Sequence, residues 1–348
     1  MSRDGLAQCL PRLWNQRPLA PILLFLLPLS WLFGSIVALR RALYRLGISP
    51  SLRLSVPVVV VGNLTVGGSG KTPLVLWLVD RLREQGWRPG IISRGYGRRA
   101  EDEILCVTAT SDAATVGDEP LLLARRSDVP VFVGRDRIAA GRALLAEHPE
   151  CDIVVSDDGL QHYRLERSAE IVVFDGRGAG NGCLLPAGPL REPLSRLAQA
   201  TAVVWNGGVG QLGGKECGKP QFSMRLAGEC FVALNDRKLT CSAGQLRGKP
   251  LHAVAGIGDP SRFFAQLAAM GLDFSPHPFP DHHAYGAQDF WFADGGVLLM
   301  TEKDAVKCSG LPLPEAWVLP VEAQIEDAPF GRSLLDTILE KLNGRTLA

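Results

Sequence analysis

The segment from Val56 to Leu82 constrains the fold of this chain more than any other part of the sequence. It opens with the β-branched run VPVVVV, which is typical of a buried strand in a parallel sheet. The glycine-rich stretch TVGGSGKT, Thr65 to Thr72, follows, and apolar residues then recur with helical spacing. Strand, glycine-rich loop, Lys-Thr and helix in this order predict a phosphate-binding loop.

The residues of this predicted loop are candidate ligands for the phosphates of a nucleotide. Glycines allow backbone N–H groups to surround phosphate oxygens, and the N-terminus of the following helix adds its dipole. Lys71 would neutralise charge on the β- and γ-phosphates, and Thr72 would place its hydroxyl on Mg²⁺. Thr65 stands where the common G-x-x-x-x-G-K-[ST] pattern has glycine. The candidate nucleotide-binding residues are Thr65, Val66, Gly67, Gly68, Ser69, Gly70, Lys71 and Thr72.

A pair of acids ends a second predicted strand and is a candidate Mg²⁺ site. The segment DIVVS, 152–156, is followed directly by Asp157 and Asp158. In an enzyme with a phosphate-binding loop, an aspartate at the end of a neighbouring strand holds Mg²⁺ directly or through water. The alternative is a polar turn that closes a buried strand. Another strand-and-acid segment, IVVFD ending at Asp175, is interpreted as part of the sheet framework.

Other polar clusters are candidate functional loops, and each also has a simpler structural explanation. GDEP, 117–120, precedes the helical stretch LLLARR, where acids are normal helix-start residues. LREP, 190–193, follows a long glycine-rich loop, a kind of loop that is often functional. PDHH, 280–283, is either a solvated loop or an Asp-His pair that tunes a base. TEKD, 301–304, is interpreted as a strand-end loop without guanine specificity, because its lysine is third and not second.

The alternation of strands and helices predicts two α/β units with a short connection between them. Residues 51–220 form a doubly wound domain with a mostly parallel sheet, and the glycine-rich stretch 207–220 marks its end. A connecting β-ribbon is predicted over 221–245 and a smaller α/β domain over 246–348. Predicted strands of the first domain lie at 56–61, 90–93, 153–156, 171–174 and 202–205, and its helices at 72–85, 118–126 and 136–147.

Residues 1–50 form a predicted membrane-associating segment. Within residues 1–60, seven arginines accompany one acid, and Ala20–Leu39 carries no charge over twenty positions. At about 1.5 Å per residue, a helix of this length could cross a hydrocarbon core about 30 Å thick. A secretory signal is disfavoured because two arginines follow without a small-residue cleavage site. A buried core helix, a spanning helix and a shallow anchor in one leaflet stay open, since prolines and a glycine interrupt the run.

Net charge and cysteine spacing exclude further classes of protein. The chain has 37 basic and 36 acidic residues, and a net charge of +1 argues against a nucleic-acid partner. Its eight cysteines are scattered without a C-x-x-C pair. We therefore expect reduced thiols, with neither a disulfide framework nor a structural zinc site.

Taken together, the motifs of this chain resemble the tetraacyldisaccharide 4'-kinase family, the lipid A 4'-kinases of Gram-negative bacteria. The family's loop runs N-x-T-x-G-G-x-G-K-T, which accounts for Thr65. The resemblance implies two α/β/α domains joined by a β-ribbon, an active site in the cleft between them, and a hydrophobic N-terminal membrane helix. The matching segments occur in order over most of residues 56–305: GNLTVGGSGKTP (62–73), SRGYGR (93–98), GDEP (117–120), GRDR (134–137), DDGLQH (157–162), LPAGPLREP (185–193) and PDHHAYG (280–286).

The resemblance also implies roles for residues at matching positions. Asp118 would activate the sugar 4'-hydroxyl, with His282 and Asp281 assisting from the second domain, although the adjacent His283 leaves the choice of histidine open. The implied Mg²⁺ ligands are Thr72, Glu119, Asp157 and Asp158. The implied contacts to the disaccharide or the transition state are Arg137, Arg191 and Glu192. Arg94, Gln161 and His162 match the family pattern without an assigned role.

The activity implied by the resemblance is phosphorylation of lipid A disaccharide 1-phosphate by ATP, to give lipid IVA. The implied location is the cytoplasmic face of the bacterial inner membrane, with the membrane surface as partner and neither nucleic acid nor an obligate protein partner. Because each exposed CH₂ costs about 0.8 kcal/mol, the enzyme must reach an acylated sugar at the bilayer. Two alternatives stay open: a membrane-associated nucleotide switch or ATPase acting on a protein, and a lipid-binding adaptor with a vestigial loop. The intact Lys71, Thr72, Asp157 and Asp158 argue against the adaptor.

Overall fold

The computed structural model describes residues 13–16, 19–99, 101–208, 212, 217–326 and 333–346, which form two α/β units. Within these residues the first sheet has nine strands. They are β1 (Val58–Gly62), β2 (Pro89–Ser93), β3 (Leu105–Val107), β4 (Val131–Val133), β5 (Ile153–Asp157), β6 (Ala169–Asp175), β7 (Ala202–Asn206), β8 (Gln221–Ala227) and β15 (Glu322–Glu326).

The first sheet confirms the predicted doubly wound, mostly parallel arrangement. Its lateral order is β15-β8-β7-β6-β1-β5-β2-β4-β3, and β1 pairs in parallel with both β5 and β6. The outer pairs, β3 with β4 and β8 with β15, are antiparallel. Val58 and Val60 enter the core on one face of the sheet, and Val59 and Val61 enter the core on the other. Burial on both faces is the physical reason for the β-branched run in β1.

The second sheet is smaller and mixed. Its strands are β9 (Cys230–Ala233), β10 (Thr240–Ser242), β11 (Leu251–Ala255), β12 (Ser275–Pro278), β13 (Val297–Thr301) and β14 (Ala316–Leu319), in the order β10-β9-β14-β13-β11-β12. The strands from β14 to β12 are parallel to one another, whereas β9 is antiparallel to both of its neighbours. The second α/β unit that the sequence predicted is thus present.

Helices cover both units and precede the first. They are α1 (Pro21–Leu24), α2 (Leu27–Arg45), α3 (Lys71–Glu84), α4 (Ala113–Val116), α5 (Asp118–Ser127), α6 (Arg137–Glu147), α7 (Ala243–Leu246), α8 (Pro260–Ala269), α9 (Glu302–Ala305) and α10 (Leu334–Thr346). Two 3₁₀ segments, Leu194–Gln199 and Ala287–Ala293, lie in the connections.

The connection between the units differs from the predicted ribbon over 221–245. β8 extends the first sheet in parallel with β7, and its Phe222 and Met224 enter the first core. β9 and β10 belong to the second sheet. On its other side β8 pairs with β15, so the ribbon between the units joins two segments that are distant in sequence.

The predicted second domain over 246–348 also requires correction at its C-terminal end. After β15 has rejoined the first sheet, α10 places Leu334, Ile338 and Leu342 in the core of the first unit. The chain therefore leaves the first unit through β8 and returns to it through β15. Apolar spacing predicted the final helix, but such spacing does not show which core receives the helix.

The uncharged N-terminal run forms two helices, α1 and α2, instead of a single one. One side of α2 contacts the body of the protein, because Ser30 Oγ donates to Leu184 O at 2.9 Å and accepts from Ala187 N at 2.9 Å. The interpretation as a buried core helix is wrong, because large apolar side chains of both helices face outward. No helix in the described part of the chain combines the length and apolar character needed to cross a bilayer. The outward-facing side chains are Ile22, Leu24, Phe25, Leu29, Trp31, Leu32, Ile36 and Leu39.

Candidate active site

The predicted phosphate loop connects the carboxyl end of β1 to the start of α3. Its backbone is held from two sides, since Asn63 Nδ2 donates to Gly67 O and Asn206 Nδ2 donates to Ser69 O, both at 3.1 Å. The Val66 N–H also donates to a backbone carbonyl at 2.9 Å. These contacts fix the loop from Thr65 to Thr72 in one conformation, which reduces the entropy that a phosphate ligand must overcome on binding.

Asp157 and Asp158 stand beside this loop at the end of β5, as predicted, but in different environments. Asp157 is 1% exposed, and burial raises the pKa of its carboxyl group. Asp158 adopts a φ of 47° and turns toward two cations, with Lys71 Nζ at 3.7 Å and Arg191 Nη1 at 3.3 Å. Burial favours the neutral form of Asp158, but these charges outweigh it and lower its pKa.

Asp118 is the first residue of α5, and the turn before it fixes its position. Gly117 has φ 95° and ψ 150°, a conformation that is almost confined to glycine. A Cβ atom at this position would lie 3.1 Å from Gly95 Cα. Asp118 Oδ2 lies 3.0 Å from His282 Nδ1 and 3.9 Å from Lys303 Nζ. Burial favours a raised pKa for Asp118, but His282 and Lys303 outweigh this effect and lower the pKa.

The second unit contributes Asp281 and His282 from the loop after β12. His282 has a φ of 60°, and its Nε2 lies 3.9 Å from Asp281 Oδ1. The contact with Asp118 raises the pKa of His282 against the opposing effects of burial and Lys303. His283 instead contacts Asp289 Oδ2 at 3.1 Å. His282 is therefore the histidine that faces Asp118.

Lys303 lies at the centre of this constellation, and sequence reasoning missed it. Its Nζ lies 3.2 Å from Glu119 Oε1, 3.1 Å from Asp281 Oδ1 and 3.3 Å from His282 Nε2. The interpretation of 301–304 as a simple strand-end loop is corrected, because β13 ends at Thr301 and α9 begins at the next residue. Ligands of open α/β sheets bind beyond the carboxyl ends of strands, and this rule could have drawn attention to the lysine.

Arg137 and Glu192, which the resemblance implied as substrate contacts, are both buried. Arg137 is 3% exposed, and burial lowers its pKa to about 10. Glu192 is 1% exposed, accepts from Tyr163 Oη at 2.6 Å and lies 3.2 Å from Arg196 Nε. Both side chains are thus packed inside the first unit, and their implied contact with substrate stays a prediction. Arg191, by contrast, lines the cleft.

Two cavities flank the phosphate loop and give the site room for two substrates. A cavity of about 430 Å³ extends from Thr72 toward Arg262, and one of about 730 Å³ extends from Thr65 toward Arg191. The phosphate loop and its lysine line both cavities, and His282, which pairs with Asp118, lines the larger one. This arrangement can carry out phosphoryl transfer from a nucleotide to a hydroxyl group.

Comparisons with known proteins agree with this geometry. The sequence model of the tetraacyldisaccharide-1-P 4'-kinase family matches residues 22–340. The tetraacyldisaccharide 4'-kinase of Dechloromonas aromatica (strain RCB) is 54% identical, and the aligned region covers 99% of this chain and 100% of that protein. The enzyme of the same name from Azoarcus sp. (strain BH72) is 54% identical, with 95% of each chain covered.

A solved structure shows the same fold. The "apo" form of LpxK from Aquifex aeolicus in complex with ATP superimposes with a TM-score of 0.77 at 32% sequence identity. The superposition covers 92% of this chain and 99% of that one. The match extends through both α/β units and the ribbon between them. This chain therefore belongs to the tetraacyldisaccharide-1-P 4'-kinase family.

Proposed function

We propose that this protein transfers the γ-phosphoryl group of ATP to the 4'-hydroxyl of tetraacyldisaccharide 1-phosphate, giving lipid IVA in lipid A biosynthesis. The observation that carries the proposal is the pairing of Asp118 and His282 across the cleft at 3.0 Å, beside the loop that holds Lys71. A switch or an adaptor has no need of a carboxylate in one unit that pairs with a histidine of the other unit at the cleft. A kinase with a hydroxyl acceptor needs such a carboxylate as its base.

In the proposed reaction, the 4'-oxygen attacks the γ-phosphorus while the bond to the β–γ bridging oxygen breaks. The hydroxyl proton passes to the Asp118 carboxylate, and ADP departs with the bonding electron pair. Because the pKa of Asp118 is lowered, this carboxylate is a weak base and takes the proton late, once the new bond is forming. Positioning of the two substrates and neutralisation of phosphate charge therefore supply most of the acceleration.

The carboxylates beside the phosphate loop could bind a Mg²⁺ ion that is also bound to the phosphates of the nucleotide. Among the described residues, no three carboxylate, histidine or cysteine side chains stand close enough to form a complete metal site. Nucleotide-bound Mg²⁺ needs one or two protein carboxylates, and phosphates and water complete its shell. Asp157 Oδ1 is buried and has no hydrogen-bond partner in the described structure. The candidate ligands are Thr72, Glu119, Asp157 and Asp158, of which the hydroxyl and one or two carboxylates would hold the ion, and the bound ion would neutralise phosphate charge.

The test of this function uses γ-labelled ATP and the lipid A disaccharide 1-phosphate dispersed in detergent. We expect labelled lipid from the wild type, and a loss of about 100-fold or more in kcat for Asp118→Asn, because general bases contribute about 10²- to 10⁴-fold. Asp102→Asn is the matched control, since Asp102 is an exposed carboxylate paired with Arg135. ADP release without labelled lipid would favour a nucleotide switch, and wild-type turnover by Asp118→Asn would refute the role of Asp118.

We also propose that α1 and α2 bind within one leaflet at the cytoplasmic face of the bacterial inner membrane, the side that supplies ATP. The outward apolar side chains of these helices, among them Trp31 at 68% exposure, form the proposed membrane-binding surface. Arg40, Arg41 and Arg45 lie at the end of α2 and would meet anionic headgroups. An acyl-bearing substrate would then present its sugar to the cleft without leaving the bilayer.

The membrane proposal is tested on the full chain by cosedimentation with phosphatidylglycerol vesicles. We expect Trp31→Glu to weaken vesicle binding by at least about tenfold, because burial of one large apolar side chain contributes about 1.5–3 kcal/mol. Trp291→Glu is the matched control, since Trp291 is 79% exposed in the second unit. Equal vesicle binding by both variants would exclude α2 as the membrane-binding element.

A further inference from the structure

The two cavities beside the phosphate loop share a small part of their lining. Five residues line both cavities: Gly68, Lys71, Glu119, Gly258 and Lys303. If ATP occupies one cavity and the sugar the other, the phosphoryl group must cross where the cavities meet. The charged groups at this junction are therefore the ones closest to the transferred group. Two of them are cations, Lys71 from the first unit and Lys303 from the second.

Lys303 is held at the junction by a rigid turn. Thr301 at the end of β13 caps the turn, and its hydroxyl donates to Asp304 Oδ2 at 2.6 Å. Asp304 is fully buried, and it also accepts from the Gly256 N–H at 3.1 Å and from Tyr285 Oη at 3.0 Å. These contacts tie the turn to β11 and to the loop that follows His282, so the backbone of Lys303 cannot move independently of the second unit.

The ammonium group of Lys303 is surrounded by acids. Glu119 and Asp281 lie 3.2 and 3.1 Å away, and Asp118 lies 3.9 Å away. Burial disfavours the charged lysine, but these carboxylates outweigh it and raise the pKa of the ammonium group. The lysine thus places its ammonium group among carboxylates from both units. Its positive charge offsets part of the negative charge of Glu119, Asp281 and Asp118, which would otherwise repel an incoming triphosphate.

We propose that Lys303 is a second phosphate-binding cation, which contacts the oxygens of the phosphoryl group as that group moves from ATP to the sugar. The proposal rests on the proposed kinase function. Lys303 forms no covalent bond and keeps its proton, while the bonds to phosphorus form and break as described above. Lys71 belongs to the loop of the first unit, whereas Lys303 comes from the second unit, and both line the two cavities. The developing charge on the transferred group therefore lies between two preorganised donors, an arrangement that favours the transition state over the bound substrates.

The test separates binding of the ground state from binding of the phosphoryl group in transit. ADP and ADP with aluminium fluoride, a mimic of that group, are titrated against the wild type, Lys303→Met and Lys71→Met. We expect Lys303→Met to bind ADP within about threefold of the wild type but to bind the fluoride complex about 100-fold more weakly, with a similar loss in kcat. Lys71→Met should weaken the binding of both ligands.

Lys249→Met is the matched control, because Lys249 is a half-exposed lysine of the same unit that pairs with Glu315 at 3.0 Å. It should behave as the wild type does with both ligands. Fluoride-complex binding by Lys303→Met within threefold of the wild type would overturn the proposal. Failure of the wild type to label lipid would instead overturn the kinase function, so the two failures are distinguishable.

A measurement on the folded wild type keeps the proposal testable even if Lys303→Met does not fold. The side-chain ammonium signals of ¹⁵N-lysine-labelled protein are recorded, and the Lys303 signal is identified by its absence in Lys303→Arg. We expect this signal to shift when ADP with aluminium fluoride binds and to shift much less with ADP alone. An equal response to the two ligands would show that Lys303 does not contact the group in transit.

Discussion

At the level of single residues, the contact between Asp118 and His282 makes this site sensitive to pH. Asp118 is charged above its lowered pKa, and His282 is charged below its raised pKa. Both therefore carry charge between the ordinary values of 3.8 for the aspartate and 6.5 for the histidine. The aspartate's contribution to stability is lost as pH falls through its folded-state pKa. The histidine's contribution is lost as pH rises through its own.

The variant Asp118→Asn should reveal this coupling. In this variant, burial and the charge of Lys303 still lower the pKa of His282, and only Asp281 remains to raise it. We therefore expect the pKa of His282 to fall below 6.5. Titration of the imidazole C–H signals by NMR measures this directly. The destabilisation caused by the substitution, measured by urea unfolding, should be largest between pH 3.8 and 6.5 and should decrease above that range.

Asp102→Asn serves as the control for this experiment, because Asp102 is exposed and pairs with Arg135 outside the cleft. In that variant the pKa of His282 should stay above 6.5, as in the wild type. If the pKa of His282 stayed raised in Asp118→Asn, a group other than Asp118 would be stabilising the charged imidazole.

Sequence reasoning reached residues whose function depends on local pattern and missed those that depend on long-range packing. Lys71 belongs to a loop between a strand and a helix, and this local context is sufficient to predict it. Asp118 and His282 are far apart in sequence, and their pairing was implied by the family resemblance alone. Arg137 and Glu192 lie in motifs that look equally functional in sequence, yet tertiary packing buries both.

At the level of elements, the turn at the start of α5 determines the position of the Asp118 carboxylate relative to His282. We expect Gly117→Ala to cost about 1–3 kcal/mol of stability, because alanine is strained in this conformation and its Cβ would lie 3.1 Å from Gly95 Cα. The relief of this contact displaces Asp118, and a shift of about 1 Å can cost about 100-fold in rate. Urea unfolding and kcat measure the two effects.

Gly86→Ala is the matched control for this substitution. Gly86 follows α3 with a φ of 85°, and a Cβ there would have no neighbour within 4 Å. The control should lose about 1–2 kcal/mol from backbone strain but keep the wild-type kcat. If Gly117→Ala also kept its kcat, the turn would support stability alone and not the placement of the carboxylate.

The elements that sequence predicted well are those with strong local patterns. β1 and α3 were found because a β-branched run and helical spacing meet at a glycine-rich loop. The short strands β3, β4 and β12 were not predicted, since three or four residues carry little periodicity and their pairing depends on neighbours. The uncharged N-terminal run has helical character, and its division into α1 and α2 coincides with Pro28. Pro28 lies in the first turn of α2, where proline is favoured, and would break the interior of a continuous helix.

At the scale of the whole molecule, the two units are linked by an ion pair as well as by the ribbon of β8 and β15. Arg126 near the end of α5 donates from Nη1 to both oxygens of Glu302 on α9, at 2.6 and 2.7 Å. These two helices also carry Asp118 and Lys303, so the pair fixes the walls of the cleft relative to each other. Sequence could not predict it, because it depends on how the units pack.

We expect the pair between Arg126 and Glu302 to be energetically coupled. Either Arg126→Met or Glu302→Met leaves a largely buried charge, and such a loss costs about 3–5 kcal/mol. The lower part of this range is expected for Arg126→Met, because Arg237 lies 3.8 Å from Glu302 and partly replaces the missing charge. The double variant should recover at least about 1.5 kcal/mol relative to the sum of the single losses, measured by urea unfolding.

The pair between Arg81 and Glu84 is the control, because its atoms are also 2.6 Å apart but both side chains are about half exposed on α3. Its coupling should not exceed about 0.5 kcal/mol, since water screens the charges and the side chains lose entropy on pairing. The two pairs have the same N–O distance, so a larger coupling energy for Arg126 and Glu302 would be due to their burial between the units. Equal coupling would instead mean that burial adds nothing to the pair of Arg126 and Glu302, which then contributes little to holding the units together.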